Sequence, residues 1–157
     1  MKIKIIAVGK LKDKFLREAS GEFEKRLSRF CNLDIVEIPD IKNPDLSSKA
    51  LCDKVRQKEG KTILYKIKNE YVAAMCIEGK KLSSEKFATL LRDCTMRTPD
   101  VTFVIGGSLG LSDEVKNRAD IKLSVSDMTF PHGLFRVMLL EQIYRAFKIN
   151  SGEDYHK

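Results

Sequence analysis

Val101-Thr102-Phe103-Val104-Ile105-Gly106-Gly107-Ser108-Leu109-Gly110-Leu111-Ser112-Asp113-Glu114 is the stretch on which the reading of this chain turns. The apolar run 101–105 reads as a buried strand. Gly106, Gly107 and Gly110 follow it at once, and Ser112 then caps a helix through about Arg118. Glycines at the carboxyl end of a buried strand let backbone approach a ligand closely. The same residues also make a plain strand-to-helix turn, and the run alone does not separate the two. It is not a P-loop, because no Gly-Lys-Ser/Thr follows. Asp127 lies at the spacing of the ribose-binding acid of a dinucleotide fold, but too little chain remains to complete such a fold.

Outward from this stretch, strands alternate with helices. Ile3–Val8 reads as a strand stopped by Gly9. Asp13 stands where a helix cap is expected, and Phe15, Leu16, Ala19, Phe23, Leu27 and Phe30 recur at helical spacing. Leu33–Ile38 is a second strand, ended by Pro39. Residues 40–48, with Pro44, read as a loop. Leu46–Glu59 is weakly helical and closed by Gly60, and Thr62–Ile67 reads as a separate short helix. Tyr71–Ile77 is continuously apolar, a strand followed by Gly79. Ser83 caps a helix to about Met96, and Ile121–Val125 is a last strand. Apolar strands alternating with helices predict an α/β fold: a mostly parallel sheet flanked by helices, with ligands beyond the carboxyl ends of its strands.

The chain has 157 residues, the size of one domain, and 43% of them are hydrophobic. A chain of this length buries about two-thirds of its unfolded surface without help from disulfides or metal. Cys31, Cys52, Cys76 and Cys94 form no Cys-x-x-Cys pair and read as reduced, buried hydrophobes. His132 and His156 are far from any cysteine, so no metal is expected. No apolar stretch reaches membrane-spanning length and Met1 runs straight into a strand, which predicts a cytoplasmic protein. The net charge of +7 favours a polyanionic partner.

The helix expected over Leu134–Ile149 is too apolar for one stripe: only Glu141, Gln142, Arg145 and Lys148 make a polar face. Such a helix needs cover on two sides, the sheet on one and a second copy of the chain on the other, so a homodimer is predicted.

Five pieces of sequence together resemble the SPOUT superfamily of knotted RNA methyltransferases. They are Ile5-Ile6-Ala7-Val8-Gly9-Lys10, the turn 105–111, the run Leu123-Ser124-x-Ser126-x-Met128-Thr129-Phe130-Pro131-His132, the helix piece Arg136-Val137 with Glu141-Gln142-x-Tyr144-Arg145-Ala146, and Tyr155-His156-Lys157. The resemblance is narrower still to the family that methylates N3 of a pseudouridine in large-subunit (23S) ribosomal RNA, and it spans the chain. It implies a carboxyl-terminal trefoil knot, with the knot and cofactor site in about 101–157. It implies S-adenosylmethionine as methyl donor, held by Met75, Gly106 and Val125, Ser126, Asp127, Met128, Thr129 and Phe130. On this reading Gly106 and Gly107 are small so that donor and threaded loop both lie against bare backbone. Met75 replaces a leucine at near-equal volume, so the pocket survives.

A pseudouridine N3 carries a proton that must go somewhere. His132, at the mouth of the last helix, is one candidate to take it; capping the helix or binding a phosphate are the others. The resemblance sends the tail into a partner's active site. There Tyr155 and His156 are further catalytic candidates, with substrate positioning favoured over proton transfer, and Lys157 meets the RNA. Arg136 and Arg145 are candidate phosphate ligands, although the four-residue spacing to Glu141 makes a surface ion pair the default for Arg145. The substrate would be presented by assembled ribosomes. A ribosome-binding factor that keeps the fold without catalysis is the competing reading, and a nucleotide-dependent oxidoreductase a more distant one.

Overall fold

Along Lys2–Val8 (β1), Ile3, Ile5 and Ala7 point to one face and Ile6 and Val8 to the other, and all five are buried. A strand apolar on both sides needs cover on both. A computed structural model, which describes residues 1–157 except 43–44, 154 and 156–157, supplies that cover. The other strands are Asn32–Ile38 (β2), Tyr71–Lys81 (β3), Asp100–Ile105 (β4) and Ile121–Ser124 (β5). They form one sheet in the order β2-β1-β4-β3-β5, with every pairing parallel. The helices are Lys14–Leu27 (α1), Lys49–Lys66 (α2), Ser84–Arg97 (α3), Asp113–Arg118 (α4) and His132–Asn150 (α5).

Helices α1, α3 and α5 cover the face of Ile3, Ile5, Phe103 and Leu123, burying Leu27, Leu91, Leu139, Leu140 and Ile143. Helices α2 and α4 cover the face of Ile6, Val8, Val72 and Val104, burying Ile63 and Val115. Among the described residues, no helix is long and apolar enough to cross a membrane. The cysteines are free thiols, and burial pushes that of Cys31 up to about 11.

Several boundaries depart from the sequence reading. Leu46–Glu59 and Thr62–Ile67 are not two elements: α2 runs unbroken through Gly60. Gly60 is there for packing rather than to stop the helix. A β-carbon on it would run into the Ser112 hydroxyl and lie 3.1 Å from Ser112 Cβ. That hydroxyl caps α4 by accepting the Val115 N–H. Gly→Ala inside a helix normally gains about 0.5–1 kcal/mol. Here the sign should reverse, because the displaced cap costs about 1 kcal/mol and the clash adds to it. Gly60→Ala is expected to lower the thermal midpoint; a raised midpoint would contradict this packing.

β3 continues past Gly79 to Lys81. Its pairing with β5 jumps from Met75–Leu123 to Lys80–Leu123, so the intervening residues bulge outward, and Gly79 crosses the Leu123 backbone too closely for any side chain. α1 stops at Leu27 rather than Phe30, whose ring stacks on Phe147 at 5.4 Å instead. Asp13 holds the first cap position without a side-chain hydrogen bond, whereas Ser83 and Ser112 cap as expected. β5 ends at Ser124, one residue short, and α5 begins two residues early, at His132.

The apolar excess of α5 is largely absorbed within the chain. The helix lies in a trough between α1 and α3, with Phe135, Tyr144, Phe147 and Ile149 half-buried against the shared core. Its flanks are thus covered by neighbouring helices, which a sequence count of apolar residues does not anticipate.

Candidate active site

Beyond the carboxyl ends of the strands lies a cleft of about 980 Å³. Three segments at the strand ends, together with one face of α2, make its walls. Met75 to Glu78 come from the end of the regular β3 pairing and its bulge, 106–112 from the β4–α4 turn, and Ser124 to His132 from the connection between β5 and α5. Met75, Ile105, Leu123 and Phe130 supply apolar lining. Residues 125–131 lie in neither helix nor strand, and all of them but Asp127 line the cleft. Ser126 shapes this segment: its carbonyl accepts the Ser124 hydroxyl at 2.8 Å and its hydroxyl accepts the Met128 N–H at 3.0 Å. An apolar slot walled along one side by irregular backbone suits a flat heteroaromatic ligand with a polar rim.

Of the residues expected to hold a cofactor, Met75, Gly106, Val125, Ser126, Met128, Thr129 and Phe130 all line this cleft. Asp127 does not. Its side chain turns outward to Lys81 at 2.5 Å, so any contribution it makes runs through its backbone. The reason for the glycines also differs from expectation. A β-carbon on Gly106 would lie 2.7 Å from the Gly110 carbonyl carbon, so the turn's own backbone forbids it. A β-carbon on Gly107 would meet Val8, Asp40 and Glu59 rather than the 125–130 segment.

His132 stands at the cleft edge, its Nε2 3.3 Å from where a β-carbon of Gly9 would be. Gly9 has φ of +88°, a conformation that side chains avoid, and the histidine uses the space this leaves. Arg136, one turn further along α5, is not the exposed phosphate ligand expected. It is 2% exposed and donates to Glu37 Oε1 at 2.6 Å and to the Gly9 carbonyl at 2.7 Å. Its place four residues after His132 turns it inward to the ends of β1 and β2, where it ties α5 to the sheet. Arg145 makes the default pair, donating twice to Glu141 Oε1, and it packs over the Tyr155 ring at 5.1 Å. Tyr155 meets Tyr144 edge-on at 5.0 Å, at the far end of α5. His156 and Lys157 lie outside the described residues.

α2 contributes residues that the sequence did not flag. Lys49, Asp53, Arg56 and Gln57 line the cleft, and Arg56 donates to the Leu109 carbonyl at 3.3 Å, pinning the glycine turn. Glu59 is 3% exposed just behind that turn. With no apolar stripe over 46–67, α2's orientation, and hence its cleft face, was not readable. Among the described residues no three His, Cys, Asp or Glu side chains are grouped to hold a metal.

The chain matches the model of the family described as predicted SPOUT methyltransferase over residues 1–156. A Clostridium perfringens relative named ribosomal RNA large subunit methyltransferase H is 56% identical over the full length of both chains. Relatives of the same name from Ligilactobacillus salivarius and Clostridioides difficile are 56% and 54% identical, again end to end. Solved structures agree in fold. A probable methylase family protein from Haemophilus influenzae superposes with a TM-score of 0.57 at 12% identity, covering 99% of this chain and 70% of its own. A putative methyltransferase from Legionella pneumophila, solved with bound S-adenosylmethionine, gives 0.54 at 14% identity, covering 94% and 66%. The parallel sheet, the cleft at its carboxyl edge and the full-length match agree: this chain belongs to the SPOUT methyltransferase family.

Proposed function

We propose that this chain is an S-adenosylmethionine-dependent methyltransferase acting on N3 of a pseudouridine in large-subunit (23S) ribosomal RNA, as one domain over 1–157. The observation that carries the reading is the convergence of Met75, Gly106 and the 125–130 segment on one cleft with His132 at its edge. The end-to-end identity to relatives named for large-subunit RNA methylation supports the substrate class. So does the +7 charge, since a surplus of cations favours a phosphate backbone.

The donor supplies an electrophilic methyl group, so no metal and no covalent enzyme intermediate is needed. Met75, Phe130 and the peptide groups of 125–130 orient the donor and exclude water. His132 takes the N3 proton as the nitrogen loses it. The connection 125–131 leaves β5 at the sheet edge and must reach Gly9 at the end of β1, crossing the region of the 106–112 turn. A trefoil knot is our reading of that crossing.

The working unit is a homodimer in the cytoplasm, acting on assembled ribosomes. Tyr144, which Tyr155 contacts, stands twelve positions after His132 on α5, a rise of about 18 Å. A tail starting there is remote from its own cleft, so the cleft it serves belongs to a second copy. Light scattering at micromolar concentration should give the dimer mass, and a monomer mass would refute this arrangement. Calorimetric titration tests the cofactor directly. S-adenosylmethionine should bind, one per chain; absence of binding leaves only the catalytically silent ribosome-binding factor.

A further inference from the structure

Glu59 has no part in the chemistry above, yet it is the most confined carboxyl near the cleft. It is 3% exposed. Its Oε1 accepts the Ile41 N–H at 3.2 Å, and its Oε2 has no hydrogen-bond partner among the described residues. That orphan oxygen lies 3.6 Å from where a β-carbon of Gly107 would be, and Asp40 Oδ1 lies 3.5 Å from the same point. Gly107 itself lines the cleft. One glycine backbone therefore separates an unpaired, buried carboxyl oxygen from whatever occupies the cleft.

We propose that Glu59 senses the charge of the cofactor: it gives up its proton to solvent when the sulfonium donor fills the cleft and recovers it when the neutral thioether product remains. This rests on the S-adenosylmethionine reading above. Donor and product carry the same amino and carboxylate groups and differ in the methyl group and the sulfonium charge. A carboxyl that ionises in response to that charge makes the cleft prefer donor to spent product.

The surroundings favour a group poised to switch. Burial, and then the charge of Asp40 at the end of β2, hold Glu59 above the ordinary glutamate value of 4.5, against the Ile41 hydrogen bond that lowers it. The other near side chain from β1 is the apolar Val8. His132, from α5, stands beside Gly9 and Asp40 and is the other titratable group of this corner. Among the described residues no Lys or Arg is bonded to either oxygen of Glu59, so a cation on the far side of Gly107 meets no described competitor. A cation held against the Gly107 wall would interact with an ionised Glu59, at an intermediate dielectric, strongly enough to change affinity by about fivefold or more.

The sign follows from linkage. A cation in the cleft lowers the Glu59 pKa, so the complex holds fewer protons than the free protein. Donor binding must then release protons and strengthen as pH rises toward the raised value of free Glu59 and level off beyond it, while product binding lacks this dependence on Glu59; the scan starts at the ordinary glutamate value of 4.5. The test is calorimetric titration of the full chain with S-adenosylmethionine and with S-adenosylhomocysteine, in buffers of different ionisation enthalpy, from that pH to neutrality. Wild type should release protons on binding donor but not product. Glu59→Gln should abolish the difference and reduce the donor-over-product preference about fivefold or more, while His132→Asn should keep it. Equal proton release for donor and product in the wild type would overturn the proposal without needing any variant. Release that survives Glu59→Gln, or vanishes with His132→Asn, would also overturn it. If neither ligand binds, the cofactor reading falls as well, so the two failures are distinguishable.

Discussion

Gly106→Ala is expected to weaken S-adenosylmethionine binding by about tenfold to a hundredfold while leaving the sheet intact. The argument is steric and local. A methyl group at this position would lie 2.7 Å from the Gly110 carbonyl carbon, 2.9 Å from its oxygen and 3.0 Å from the Leu111 nitrogen. All three are backbone atoms, so no side-chain rotation relieves the clash. The turn must open, and with it moves the wall formed by Gly106, Ser108 and Leu109. Backbone strain of this kind costs about 1–3 kcal/mol, and each 1.4 kcal/mol is a factor of ten in affinity. Gly110, with a φ of +78° and open space around it, is a useful contrast. There alanine meets no neighbour and pays only for its backbone conformation, so Gly110→Ala should cost less. Calorimetry on both variants checks the order, and equal losses would contradict the packing of this turn.

Removing Tyr155 to Lys157 is expected to cut methyl transfer about a hundredfold and leave donor affinity within about twofold. Misplacement of reacting groups by an ångström is enough for such a loss. Tyr155, the described residue of this tail, packs on Tyr144 and Arg145 near the carboxyl end of α5 and is not among the residues that line the cleft. Its removal exposes two half-buried side chains and little core, so the fold should melt within a few degrees of wild type. Single-turnover methylation of large-subunit RNA, alongside a donor titration, separates the two effects. Full activity without the tail would remove it from the mechanism.

Much of this was legible because buried parallel strands announce themselves. Ile3–Val8, Tyr71–Ile77 and Val101–Ile105 are apolar on both faces, and each is a central strand. The glycine turn and the 123–132 run identified the cleft through resemblance, and all but one of the proposed cofactor residues line it. What escaped depends on contacts distant in sequence. Nothing around Gly60 reveals that Ser112 packs against it, so the glycine reads as a stop. Nothing around Arg136 reveals Glu37, 99 positions away, so a buried strut reads as an RNA contact. Glu59 and Arg56 sit on a helix without an apolar stripe, and only the folded chain shows which way they face.

One measurement bears on the function most directly: mass mapping of large-subunit ribosomal RNA from cells with and without this chain, followed by treatment of the deficient ribosomes with pure protein and S-adenosylmethionine. A single added methyl group at N3 of one pseudouridine, absent without the chain and restored by it, is the expected result. Identical RNA in both cells, with no methyl transfer to the deficient ribosomes, would contradict it.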